Sequence, residues 1–145
     1  MGVCSGMLDE TVRQNLLDLA RRAREQAYAP YSNFTVGAAV LTAAGQIFTG
    51  ANIENSSFGA TVCAERVAIF AAVAAGRRDL TALAVIADTP EPVAPCGLCR
   101  QVLAEFNPDC PVLLANTAGR WRLANLQELL PQAFRLPSGA GDPGD

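Results

Sequence analysis

Three cysteines and one glutamate, in a chain without histidine, are the residues whose types and spacing best suit catalysis. Cys63 stands two residues before Glu65, and Cys96 and Cys99 form a Cys-x-x-Cys pair later in the chain. Three thiolates leave one corner of a tetrahedral zinc site open, and catalytic zinc sites hold water at such a corner. A glutamate two residues from a ligand reaches that water more easily than the metal and can move its protons. The pattern therefore indicates hydrolytic zinc chemistry.

The charge of such a site requires a nearby cation. Three thiolates around Zn²⁺ leave a net charge of about −1, which makes a bound water a weaker acid than neutral ligands would. Arg66 follows Glu65 and Arg100 follows Cys99, so both are placed to donate to a ligand sulfur. The alternative for each arginine is an ordinary surface charge.

Other interpretations of the cysteines stay open at this point. Cys96 and Cys99 alone resemble a thioredoxin-type redox pair, which would leave Cys63 and Glu65 without a purpose. Cys110 is placed to close the set into a structural Cys₄ zinc site. Cysteines are also often simply buried in a core, and we assign Cys4 and Cys110 as ordinary thiols.

The hydrophobic pattern predicts strands alternating with helices. Apolar residues recur at three- and four-residue steps after Asp9, which predicts a helix that ends at Ala29-Pro30. Further along the chain, the pattern predicts strands over 34–41, 46–51, 80–87, 111–116 and 119–122, and helices over 62–75, 96–106 and 123–130. This alternation indicates an α/β domain whose central sheet carries helices on both faces. Cys63 and Cys96 then fall near helix starts, where the helix dipole stabilises a thiolate.

Length and composition limit the possible functions. The 145 residues fit one domain over 9–135, with a flexible leader at 1–8 and a Gly- and Pro-rich, disordered tail at 136–145. The net charge is −3 and the chain has only 11 basic residues, so the sequence does not indicate the basic surface that binds nucleic acid. The chain also contains no apolar run of the ~20 residues that a membrane helix needs. Five cysteines without a signal peptide predict a cytoplasmic protein.

The cysteine motifs, taken with their surroundings, resemble a known family. Cys-Ala-Glu at 63–65 followed by Pro-Cys-Gly-Leu-Cys at 95–99 resembles the signature of zinc-dependent nucleoside and nucleobase deaminases. The all-cysteine form is similar to the small homotetrameric cytidine deaminases. Further blocks match that family in order between residues 10 and 134: YSNFTVGAA at 31–39, NIEN at 52–55, CGLCRQV at 96–102 and LLPQAF at 129–134.

The resemblance implies a fold, a cofactor and a reaction. The fold is a three-layer α/β/α sandwich with a central mixed sheet of about five strands. One Zn²⁺ per subunit is held by Cys63, Cys96 and Cys99, and Glu65 acts first as base and then as acid. The reaction is the hydrolytic deamination of cytidine and 2′-deoxycytidine to the uridine nucleosides, with release of ammonia, as in pyrimidine salvage.

The resemblance also implies how a nucleoside binds. Asn52 and Glu54 match positions that bind the sugar, where an amide and a carboxylate suit the 3′-hydroxyl. Phe34 is expected to pack on the base, although an aromatic residue in an apolar strand is by default a core residue. The backbone of Ala64 and the side chain of Glu65 are expected to read the edge of the base.

The resemblance further implies a homotetramer with shared active sites. Phe58 and Phe134 match positions that, in the family, contribute to the site of a neighbouring subunit. Phe58 departs from the pattern because tyrosine is common there, so a hydroxyl is missing. The alternatives are a deaminase for a modified cytosine nucleoside such as blasticidin S, to which NIEN at 52–55 is less suited, and a non-catalytic structural zinc module.

Overall fold

A computed structural model describes residues 8–137 of the chain, and a five-stranded sheet lies at its centre. The strands are β1 (Val36–Thr42), β2 (Ile47–Ala51), β3 (Leu80–Ala87), β4 (Pro111–Asn116) and β5 (Trp121–Asn125). Their order across the sheet is β2-β1-β3-β4-β5. Strands β3 and β4 are parallel and the other neighbours are antiparallel, so the predicted mixed sheet is confirmed.

Helices cover both faces of this sheet. They are α1 (Glu10–Arg24), α2 (Ala64–Ala74), α3 (Gly97–Phe106) and the short α4 (Leu126–Leu129), and a 3₁₀ turn spans Phe58–Ala60. Leu16 and Ala20 of α1 join one apolar core, while Ala68 of α2 and Leu103 of α3 join the core on the opposite face. The predicted three-layer α/β/α sandwich is therefore confirmed.

The central strands are apolar throughout because both of their faces are buried. Along β1, Ala38 and Val40 point into the core under α2 and α3, while Ala39 and Leu41 point into the core under α1. A strand covered on both sides shows a continuous apolar run rather than an alternating one. The helices that carry the cysteines therefore pack against central strands that are buried on both faces.

Strand β2 approaches helix α2 unusually closely at Gly50. An added Cβ at this position would lie 2.5 Å from the backbone nitrogen of Ala68 and 2.6 Å from the carbonyl oxygen of Ala64. Glycine is the residue that permits such an approach of two backbones. The start of α2, which carries Glu65, is therefore seated directly against the sheet.

The predicted element boundaries differ most from the structure at two places. The first helix ends at Arg24 instead of continuing to Pro30, because the chain leaves it to donate a hydrogen bond from the Tyr28 nitrogen to the Asn52 carbonyl (2.9 Å). The last helix begins at Leu126 instead of 123, because Leu123 pairs with β4 in an antiparallel ladder. Asn125 then starts the helix with a capping box.

Some sequence-based predictions lie outside the described residues. The predicted leader at 1–8, which includes Cys4, lies outside them except for residue 8. The predicted tail at 136–145 lies outside them except for residues 136 and 137. Within residues 8–137, no helix is both long and apolar enough to cross a bilayer.

Candidate metal and catalytic site

The starts of two helices bring three thiols together. Cys63 is the residue that precedes α2, Cys96 is the residue that precedes α3, and both have extended backbone. Cys99 lies in the first turn of α3 and is 1% exposed. The Cys63 and Cys96 sulfurs are 3.7 Å apart, those of Cys96 and Cys99 are 3.4 Å apart, and all three lie within 4.8 Å of one another.

This cluster suits one zinc ion. Tetrahedral coordination with Zn–S bonds of about 2.3 Å places sulfurs about 3.8 Å apart, close to the two sulfur separations above. Among residues 8–137, these three side chains are the one set of potential metal ligands that converges in this way. Cys110 is fully buried in the core under α2 and α3 instead, where its thiol contacts the Pro111 carbonyl. The structure therefore favours a three-sulfur site over a Cys₄ site.

Arg66 supplies the positive charge next to the sulfurs. Its Nη2 donates to the Cys63 sulfur at 3.5 Å. A hydrogen bond from Cys99 and the Arg66 guanidinium lower the pKa of Cys63 to about 5, whereas its own bond to Cys63 and burial raise the pKa of Cys99. Cys63 therefore ionises before Cys99, and the thiolate is the form that binds metals.

Glu65 is a buried carboxyl group beside the sulfurs. It is the second residue of α2 and is 5% exposed, and Ala64 before it is fully buried. Burial raises the pKa of Glu65 to about 7, with a further contribution from the negative charge of Cys63. A carboxyl group with such a pKa can accept and return a proton near neutral pH.

Arg100 does not occupy its predicted place. It donates from Nε to the Pro95 carbonyl and from Nη1 to the Leu129 carbonyl, both at 2.7 Å, rather than to a sulfur. Arg100 therefore ties the loop before Cys96 to the end of α4.

Glu54 lies after β2 and is held by the loop at 31–34. Its Oε1 accepts hydrogen bonds from the backbone nitrogens of Tyr31 (3.0 Å) and Ser32 (3.1 Å), and its Oε2 accepts one from the Ser32 hydroxyl (2.5 Å). The Ser32 hydroxyl is the main cause that lowers the pKa of Glu54. The carboxylate is therefore ionised and fixed in orientation.

Asn52 is bound by both ends of its amide, to the start of β1 and to the loop at 31–34. Its Oδ1 accepts from the Val36 nitrogen at 2.8 Å, and its Nδ2 donates to the Phe34 carbonyl at 2.7 Å. An amide nitrogen carries two protons, so one donor remains for a ligand. The loop thereby presents the partly exposed Phe34 ring next to the two polar side chains.

A cleft of about 300 Å³ lies at this loop and is lined by Tyr31, Ser32, Glu54, Phe58 and Thr61. Phe58 packs edge-on against Tyr31, with ring centroids 5.2 Å apart. A larger groove of about 700 Å³, between α1 and the β1–β2 turn, is on the opposite face of the sheet from the thiols. The smaller cleft is the one that Glu54 and the loop at 31–34 line.

Sequence reasoning did not single out Ser32 or Gln101. The Ser32 hydroxyl accepts from the nitrogen of Phe34, two residues later, at 3.0 Å, and this local turn of serine is a recognisable sequence signal. Gln101 exchanges two hydrogen bonds with the backbone of Phe134, at 2.8 and 3.1 Å. This reciprocal pair holds the C-terminal segment on α3 and leaves the Phe134 ring 67% exposed.

Comparison with known proteins gives consistent matches over most of the chain. The family model for the cytidine and deoxycytidylate deaminase zinc-binding region matches residues 10–114. A cytidine deaminase from Halalkalibacterium halodurans is 55% identical over 123 residues, which cover 84% of this chain and 93% of that protein. The solved structure of cytidine deaminase from Burkholderia pseudomallei has a TM-score of 0.81 at 50% identity, and the match covers 83% of this chain and 98% of that one.

A relative named for a different substrate is less similar. A blasticidin-S deaminase from Bacillus cereus is 32% identical over 133 residues, covering 85% of this chain and 94% of that protein.

Proposed function

This chain belongs to the cytidine and deoxycytidylate deaminase family, and from that membership we propose that it converts cytidine and 2′-deoxycytidine to uridine and 2′-deoxyuridine by hydrolysis, with release of ammonia. The observation that carries the proposal is the convergence of three thiols at two helix starts beside a buried carboxyl group. That set of groups suits hydrolysis at a carbon–nitrogen bond. The physiological role we propose is pyrimidine salvage.

Glu65 performs the proton transfers in this proposal. Cys63, Cys96 and Cys99 hold one zinc ion, which supplies Lewis acidity that makes water a nucleophile near neutral pH. Glu65 accepts a proton from the attacking water and donates it to the ring nitrogen N3. The same carboxylate then takes the remaining proton from the oxygen that has bonded to C4 and passes it to the amino group, so that the C4–N bond breaks, ammonia leaves and the C4 carbonyl forms. Its burial supports this role, because a pKa near 7 lets one carboxyl group act as base and then as acid.

Arg66 is proposed to offset the negative charge of the sulfurs. Its contact with the Cys63 sulfur supports this role. Arg100 acts differently, as a positioning residue that holds the loop before Cys96 through the Pro95 carbonyl.

The nucleoside is proposed to bind with its sugar at Asn52 and Glu54 and its base against Phe34. The ionised Glu54 carboxylate accepts a hydrogen bond from the 3′-hydroxyl group. The Asn52 side-chain nitrogen uses its remaining N–H to donate a hydrogen bond to the oxygen of the same hydroxyl group. At the other end, the backbone N–H of Ala64, the first residue of α2, has no partner within the helix and can donate to the edge of the base. Both natural nucleosides carry the 3′-hydroxyl, so both fit this arrangement.

We further propose a homotetramer whose active sites are shared between subunits. Large apolar side chains exposed near one site mark interaction surfaces, and Phe58 and Phe134 are 70% and 67% exposed. Light scattering after gel filtration tests the assembly. Mixing inactive Glu65→Gln subunits with inactive Phe134→Ala subunits tests sharing, because mixed tetramers regain activity only if Phe134 acts across the interface.

The domain and its location are proposed on the same grounds. Residues 9–135 form one functional domain, since both cores are built on one sheet. A cytoplasmic location suits the cluster, because the thiols must stay reduced to bind zinc.

The deciding experiment measures uridine and ammonia together from cytidine with zinc-loaded protein. We expect equal amounts of both products, and loss of both after chelation. Conversion of blasticidin S but not cytidine would select the modified-nucleoside alternative. Bound zinc without conversion of either substrate would select a structural zinc module.

A further inference from the structure

A chain of hydrogen bonds joins the loop that carries Phe34 to the Glu54 carboxylate. The Phe34 nitrogen donates to the Ser32 hydroxyl oxygen at 3.0 Å, and that hydroxyl donates to Glu54 Oε2 at 2.5 Å. The direction is fixed, because an ionised carboxylate only accepts and a backbone N–H only donates. Successive bonds in one direction polarise one another, so the serine is a stronger donor than it would be alone.

The two oxygens of Glu54 are held in different ways. Oε1 accepts from two backbone nitrogens, which no side-chain substitution removes directly. Oε2 is held by the Ser32 hydroxyl, on a side chain that is exposed at the cleft. Among residues 8–137, Ser32 therefore provides the one hydrogen bond to Glu54 that comes from a side chain, and because that side chain is exposed, a change at Ser32 leaves the core intact.

With Oε2 held by Ser32, the Glu54 carboxylate keeps one acceptor position for a hydrogen bond from a ligand. A carboxylate offers about four acceptor positions, and three are occupied by loop donors. If the sugar binds as proposed above, the remaining position receives its 3′-hydroxyl without a cost for ordering the carboxylate.

We propose that Ser32 is a positioning residue that orients Glu54 for the 3′-hydroxyl of the nucleoside, and so determines how strongly the enzyme depends on that hydroxyl. The inference rests on the proposed function, of which it specifies the sugar subsite. Ser32 acts through Glu54, so its effect must disappear when the substrate lacks the group that Glu54 binds.

The test combines variants of Ser32 with removal of the substrate hydroxyl. Steady-state kinetics compare cytidine with 3′-deoxycytidine for wild-type protein, Ser32→Ala and Ser32→Thr. A bond to a charged group corresponds to a change of about ten- to a hundredfold, so Ser32→Ala lowers kcat/KM for cytidine by that factor, mainly through KM. The same variant changes kcat/KM for 3′-deoxycytidine by no more than about threefold. Ser32→Thr, which keeps a hydroxyl, restores most of the discrimination.

Ser57→Ala is the matched control, because Ser57 lies in the neighbouring turn and its hydroxyl does not cap that turn. It leaves the ratio of the two substrates unchanged. Equal losses on both substrates for Ser32→Ala, or no loss on either, would overturn the inference and leave the proposed function standing. Wild-type protein that fails to convert cytidine would overturn the proposed function, and with it the inference, before any variant is compared.

Discussion

Replacing Gly50 with alanine tests whether the close contact between β2 and α2 places the catalytic groups. The new Cβ would lie 2.5 Å from the Ala68 nitrogen, 2.6 Å from the Ala64 oxygen and 2.8 Å from the Val67 Cβ. None of these atoms belongs to the flexible end of a side chain, so no rotamer change relieves the contact. A real Cβ essentially never comes within 3.0 Å of such atoms and ordinary van der Waals contact begins at 3.4 Å, so α2 and β2 must move apart by about 0.5–0.9 Å.

Two effects of different size follow from this shift. Overpacking in a core costs about 1–3 kcal/mol, and the three simultaneous contacts place Gly50→Ala near the upper end of that range. In a chain of this length, such a loss lowers the Tm by roughly 5–10 °C. The shift also moves Glu65 relative to the cysteines of α3, and a displacement approaching 1 Å lowers kcat by about a hundredfold at most.

The measurement pairs thermal unfolding with kinetics at one protein concentration and equal zinc content. Gly59→Ala is the control, because an added Cβ there meets nothing within 4 Å and the backbone angle suits alanine. Its stability is unchanged or rises by up to about 1 kcal/mol, since alanine restricts the unfolded chain. If Gly50→Ala unfolds at the same temperature as Gly59→Ala and keeps wild-type kcat, the structural argument is refuted.

The other predictions concern the site and its supports. Glu65→Gln retains one zinc per chain by metal analysis but loses about 10²–10⁴-fold in kcat, and normal turnover would contradict its role. Cys110→Ser leaves the zinc-to-protein ratio unchanged, whereas a lower ratio would make Cys110 a ligand. Arg66→Gln weakens zinc binding about tenfold or more in a chelator competition, because the sulfurs lose their cation, and unchanged affinity would contradict this. Gln101→Ala speeds hydrogen exchange at the Phe134 amide, and unchanged exchange would show that other contacts hold the C-terminal segment.

Local patterns in the sequence were sufficient for the regular elements and the ligand types. The predicted strands at 80–87 and 111–116 have the observed bounds, because a continuous apolar run between turn residues depends on nearby residues alone. The Cys-x-x-Cys pair was placed at a helix start by its spacing and by the preceding proline. The same local reasoning failed at 123–125, where antiparallel pairing with the preceding strand β4 outweighs a helical pattern.

The sequence by itself determined that three thiols and one carboxyl group would sit near helix starts, because spacing and helix signals are local properties. Tertiary structure decided which groups face one another. It brought the Arg100 side chain to the Leu129 carbonyl, 29 positions along the chain, instead of to a sulfur, buried Glu65 enough to raise its pKa to about 7, and placed Ser32 on Glu54, 22 positions along the chain. Those outcomes depend on how closely the folded sheet brings separate segments together. The spacing of residues along the chain does not predict those distances.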